Sequence, residues 1–150
     1  LILEQIKGIN ADDKPYWKIT VFANPITLGS WISPSTISKL VNFLKKLNLF
    51  NFFDYVAGSD TFSFNKPDPR HLTEVVEIIG GDLRKTMMIG DSEVDAMSAQ
   101  NAKIPFILVK DGYTEKTEKE IKHNELISDF ENFEKIIEKY LWLLLLSFQL

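Results

Sequence analysis

From Thr36 onward the chain alternates helical and extended periodicity, and this alternation constrains the fold more than any other feature. Ile37, Leu40, Val41, Leu44 and Leu47 recur at helical spacing, with Ser35 or Thr36 available as the N-cap. Phe53 to Ala57 is a short β-rich run ending at Gly58. Asp68 to Ile79 again has helical spacing, through Leu72, Val75, Val76 and Ile79, and Gly80 and Gly81 can end that helix in the left-handed conformation. An apolar strand is expected over Thr86 to Ile89, a helix over Glu93 to Ala102 and a second apolar strand over Pro105 to Val109. Glu115 to His123 reads as a solvated helix, Glu125 to Ser128 as a last strand, and Phe130 to Tyr140 as a last helix with Phe133, Ile136, Ile137 and Tyr140 inward. Short apolar strands alternating with helices predict an α/β fold, a parallel sheet covered on both faces. Ligands in such sheets sit at the carboxyl ends of the strands.

The two ends of the chain do not share this pattern. Residues 1–32 contain Gly8, Pro15, Pro25 and Gly29 with poor periodicity; Lys18 to Ala23 could form a strand, but no fold is assigned to the segment. Leu1 to Asn10 lacks the uninterrupted apolar stretch of a signal peptide. The chain closes on LWLLLLSFQL, about half the length a membrane-spanning helix needs. A helix extension is expected there rather than an anchor. The organisation is therefore an unassigned segment over 1–32, an α/β core over 33–141 and a Leu-rich tail over 142–150.

A formal charge of −4 argues against nucleic acid as a partner and leaves room for a small anionic ligand at a local basic site. With no cysteine, disulfides and thiolate chemistry are excluded, which is compatible with a cytoplasmic location. The oligomeric state is not legible.

Two segments carry chemistry. In Gly90-Asp91-Ser92-Glu93-Val94-Asp95, Asp91 emerges at the carboxyl end of a buried strand, and Asp95 follows one helical turn later. Two carboxylates converging there suit Mg²⁺. Alternatively, Asp91 caps the next helix and Asp95 is a first-turn acid favoured by the helix dipole. In Asn65-Lys66-Pro67-Asp68-Pro69, two prolines stiffen the approach to a helix, so that Lys66 can hold a phosphate there. A surface loop lysine is the plainer alternative.

Together, in this order and about 25 residues apart, these segments resemble the third and fourth motifs of the haloacid dehalogenase superfamily. Phe53 to Asp60 is similar to the stretch that leads into the Lys motif in phosphoglycolate phosphatases, and Ile127-Ser128-Asp129-Phe130 to the end of their catalytic domain. The resemblance runs from Ser33 to Leu141. It implies a Mg²⁺-dependent phosphomonoester hydrolase acting on a small phosphorylated metabolite through an aspartyl-phosphate. Lys66 and Ser33 would be catalytic, and Asp91 and Asp95 would bind the metal. Ser33 is placed by its distance from Phe53 alone, because Pro34 stands where the family usually has Asn. Val21-Phe22-Ala23-Asn24 looks more like that motif's strand, but has Ala where a hydroxyl is needed and lies further upstream than the spacing allows.

One family motif is absent. The nucleophile should be the first Asp of a DxD motif, and none precedes Ser33; Asp12 and Asp13 are adjacent and read as a solvated turn. The fold is therefore expected to lack the first-motif strand and the helical cap. The competing expectations are a truncated phosphatase, a non-catalytic protein that binds a phosphorylated ligand, and an interaction module completing its sheet with a partner chain. His71 and His123 are expected on helix surfaces, and the lysines between Lys116 and Lys122 on a solvated face.

Overall fold

The computed structural model describes residues 2–6, 16–22, 36–112, 114–129, 131, 133, 135, 136 and 138–140. Nine elements position the site: β1 (Ile2–Ile6), β2 (Tyr16–Phe22), α1 (Thr36–Lys46), β3 (Tyr55–Ala57), α2 (Arg70–Ile78), β4 (Thr86–Gly90), α3 (Glu93–Asn101), β5 (Phe106–Val109) and β6 (Glu125–Ile127). The strands form one sheet in the order β3-β2-β1-β4-β5-β6.

β4, β5 and β6 pair in parallel, with Gly90 opposite Leu108 and Val109 opposite Ile127. β2 and β3 are also parallel. Between these two sets lies β1, antiparallel to both neighbours, with Ile2 opposite Met88 and Ile6 opposite Tyr16. Five strands thus point one way and the central one points back. The sheet is parallel as expected except at β1, which runs antiparallel within it. Residues 2–6 and 16–22, for which the periodicity assigned no fold, form a hairpin whose first strand fills the central position. β2 overlaps the strand expected over Lys18 to Ala23, whereas β1 carried no signal of its own. Pairing on both sides supplies what periodicity could not show, since a lone hairpin is marginal in water.

Alternation along β4 and β5 splits the core between two faces. Met88, Phe106 and Leu108 pack with Leu72 and Val76 of α2, with Ala96 and Ala99 of α3, and with Ile121. Met87, Ile89 and Ile107 pack on the other face with Ile127, Phe133, Ile136 and Tyr140. Burying each such side chain contributes roughly 1.5–3 kcal/mol. Apolar side chains therefore cover both faces, as the apolar pattern requires. A smaller cluster joins Leu40 and Leu44 of α1 to Val56 of β3.

Local chemistry explains the ends of the elements. Gly80 adopts φ 68°, its N–H reaches Glu77 O and the Gly81 N–H reaches Val76 O, which closes α2 in a Schellman motif. The first turn of α1 is capped from a distance: the Ile37 N–H donates to Asp60 Oδ1 at 3.2 Å. Ser35, one of the two expected caps, lies outside the described residues. The helix expected over Glu115 to His123 is a series of turns instead. There the Glu120 carboxylate accepts from both the backbone N–H and the hydroxyl of Thr117, and only Ile121 is buried, so the segment has no apolar face to hold a helix on the core.

Candidate active site

β4 ends at Gly90 and delivers Asp91 to the carboxyl edge of the sheet. Ser92 then caps α3, accepting the Asp95 N–H, while the Ser92 hydroxyl donates back to Asp95 Oδ2 at 2.8 Å. Ser92 and Asp95 thus bond each other reciprocally at the start of α3. The cap is Ser92, not Asp91. The Asp91 N–H also reaches Asp95 Oδ2, at 3.3 Å.

The remaining oxygen of Asp95 joins the second motif. Lys66 Nζ donates to Asp95 Oδ1 at 2.6 Å, with the two side chains 14% and 8% exposed. The loop carrying Lys66 is fixed at the far end of α3 as well, where Asn101 Nδ2 donates to Pro67 O at 2.9 Å. A cis peptide joins Lys66 and Pro67. One helix therefore grips the Lys loop at both of its ends. Burial pushes the Asp95 carboxyl upward, but the Lys66 charge and the hydrogen bonds from Lys66 and Ser92 outweigh it and hold the pKa below the usual Asp value.

Close packing leaves this arrangement little play. A Cβ on Gly90 would fall 2.6 Å from Asp95 Cβ, and a Cβ on Gly112 would fall 2.3 Å from Asp91 Cβ. Gly112 belongs to the segment after β5, which borders a cavity of about 580 Å³ lined by Asp91, Lys110, Gly112, Thr114, Lys116 and Lys119 among others. Thr114 Oγ1 donates to Glu93 Oε2 at 2.6 Å, which holds the Glu93 carboxyl below its usual pKa.

His71 departs from expectation: it is only 2% exposed and stands edge-on to Phe62, with ring centroids 5.4 Å apart. Burial first, and then the Lys66 charge, depress its pKa, which favours the neutral ring. His123 Nδ1 lies 2.7 Å from Ile121 O.

The structure thus brings Lys66, Asp91 and Asp95 to one strand end. Ser33 lies outside the described residues, as do Asp12 and Asp13. Carboxylate oxygen at this point suits a hard divalent cation in donor chemistry. Among the described residues no group of three or more His, Cys, Asp or Glu side chains could hold a metal. Ser92 could have been read from its spacing to Asp95. Glu93, Thr114 and Gly112 had no local signal, because their contacts cross from one strand end to the next.

The sequence profile of the haloacid dehalogenase-like hydrolases matches residues 30–109. The chain belongs to this family. It is similar to the phosphoglycolate phosphatase of Mesorhizobium japonicum, with 43% identity over 88 residues, covering 59% of this chain and 39% of the relative. The phosphoglycolate phosphatase of Aquifex aeolicus is 30% identical over 121 residues, covering 78% of this chain and 54% of the relative. Among solved structures, a HAD-superfamily hydrolase of subfamily IA from Geobacter sulfurreducens superposes with a TM-score of 0.55 at 26% identity, covering 69% of this chain and 44% of that one. The chain thus spans only about two fifths to one half of the length of these relatives. Among the described residues no helix is long and apolar enough to cross a membrane.

Proposed function

We propose that this chain is the phosphate- and metal-binding half of a phosphomonoester hydrolase core, acting on a small phosphorylated metabolite such as phosphoglycolate. The observation that carries this reading is the buried Lys66–Asp95 pair. It joins two segments 29 residues apart and sets an ammonium beside Asp91 at a strand's carboxyl end. Asp91 would hold Mg²⁺, which when bound neutralises charge on phosphoryl oxygens. Asp95 spends its oxygens on Lys66, Ser92 and the Asp91 amide, and we assign it the task of fixing the ammonium and the turn beneath the metal. Lys66 meets the negative charge that develops on the phosphoryl group. Ser33 is proposed as the hydroxyl that binds the same group.

A non-catalytic reading is favoured by one observation. The strand beside β4 carries Ile-Leu-Glu-Gln-Ile and runs with its amino end toward the site. Its described residues hold no Asp pair to act as nucleophile.

Mg²⁺-dependent phosphate release from phosphoglycolate and from a generic phosphomonoester tests the two together, with Asp91→Asn as control. Release that disappears in the control supports hydrolysis by this chain. Mg²⁺-dependent phosphate binding without release, lost in Lys66→Met, supports the binding protein. A chain that neither binds nor releases phosphate overturns both.

A further inference from the structure

We propose that Glu93, Thr114 and Gly112 form a latch that holds the Asp91 carboxylate in one orientation, making them positioning residues for the metal. The proposal rests on the reading of Asp91 as a metal ligand given above. Asp91 lies between two segments, the turn into α3 and the segment that follows β5. Parallel pairing of β4 with β5, Gly90 opposite Leu108, brings these two strand ends side by side. Gly112 then lies directly on Asp91: an added Cβ would sit 2.3 Å from Asp91 Cβ, 2.6 Å from its carbonyl oxygen and 2.9 Å from its Cγ. Backbone this close blocks part of the side chain's rotamer space.

A short chain of hydrogen bonds keeps the segment down. The Lys116 N–H donates to Thr114 Oγ1 at 3.1 Å, and the Thr114 hydroxyl donates to Glu93 Oε2 at 2.6 Å. The Thr114 N–H closes on Gly112 O at 3.0 Å. Glu93 belongs to the first turn of α3, two residues after Asp91. The bond therefore ties both flanks of Asp91 together across 21 residues of chain. Thr114 is suited to this as a hydroxyl that accepts and donates at once. Outer partners of this kind commonly govern metal affinity by about 10–100-fold.

The test uses the full chain and Mn²⁺ as the metal, with binding followed by the loss of the free-ion electron paramagnetic resonance signal. Thr114→Val is expected to weaken Mn²⁺ binding about 10-fold or more. Thr114→Ser, which restores the hydroxyl, should bind like the parent. So should Glu93→Gln, whose amide oxygen accepts the same bond, whereas Glu93→Ala should lose affinity. Amide hydrogen exchange supplies a readout that needs no metal: Thr114→Val should speed exchange at the Asp91 amide, and Thr114→Ser should not. Parent-like affinity in Thr114→Val overturns the latch, as does a Glu93→Gln loss equal to that of Glu93→Ala, which would mean that charge and not the bond matters. If the parent binds no Mn²⁺, or Asp91→Asn binds as well as the parent, the role of Asp91 itself fails. Unchanged exchange at Asp91 in Thr114→Val then overturns the latch on its own evidence.

Discussion

Replacing Lys66 with Met keeps an unbranched side chain of similar length and removes the ammonium. Asp95 would then stand with an 8% exposed side chain and without its ion-pair partner. Breaking a buried pair in this way costs about 3–5 kcal/mol. Asp95 keeps the Ser92 hydroxyl and the Asp91 amide as donors, so the low end, about 3 kcal/mol, is expected. For a chain of this size that lowers the thermal midpoint by about 6–12 °C. Lys66→Met/Asp95→Asn should regain more than half of the loss, because the amide oxygen still accepts from Ser92 and no charge remains buried. The dependence on pH has a definite sign. With Lys66 present the Asp95 pKa lies below its unfolded value, so the pair stabilises above the unfolded pKa of about 3.9 and loses that effect as pH falls through the folded value. Without Lys66, burial pushes the Asp95 pKa upward against the Ser92 bond and weaker favourable terms, so the penalty is greatest at about pH 7 and fades as acid protonates the group. The gap between parent and variant should therefore narrow from about pH 7 toward about pH 4, followed by urea denaturation at each pH. A single-variant cost below about 1 kcal/mol, the range of exposed pairs, would refute the argument. So would a double variant no more stable than Lys66→Met.

Three further outcomes are expected. Gly90→Ala should displace Asp95, since the new Cβ would meet its carboxyl group 2.7 Å away; the loss should match or exceed that of Lys66→Met in thermal melts, and a neutral result would show that the turn relaxes freely. Leu72→Ala, at a fully buried site between α2 and β4, should cost about 2–5 kcal/mol in urea unfolding. Tyr140, raised to about 12 first by burial and then by the Glu125 charge, keeps its proton in the folded state at pH values where the unfolded chain loses it. Its stabilising effect is complete below the unfolded pKa of about 10 and disappears as pH rises through about 12. Tyr140→Phe should flatten this alkaline decline; an unchanged slope would exclude Tyr140 as its source.

Legibility differed between parts of the chain for physical reasons. α2 announces itself by one periodic apolar face and β4 and β5 by short runs that are apolar on both faces, and Lys66 and Asp91 were visible because strand ends and Pro-flanked turns carry local signatures. His71 escaped: one polar residue on an apolar helix face does not reveal whether an aromatic such as Phe62 will cover it. The segment over 115–123 likewise failed to form the helix expected there, because only Ile121 reaches the core.

The sequence by itself determined that strands and helices alternate, that both sheet faces are covered, and that an ammonium and two carboxylates belong near strand ends. These follow from side-chain period and local turn chemistry, which act within a few residues. Only the tertiary structure decided that β1 runs backward through the centre of the sheet, that Lys66 spends its charge on Asp95, and that the segment after β5 lies on Asp91. Each of these is a contact between residues far apart in the chain, chosen by hydrogen-bond pairing and close packing, which periodicity within one segment does not encode.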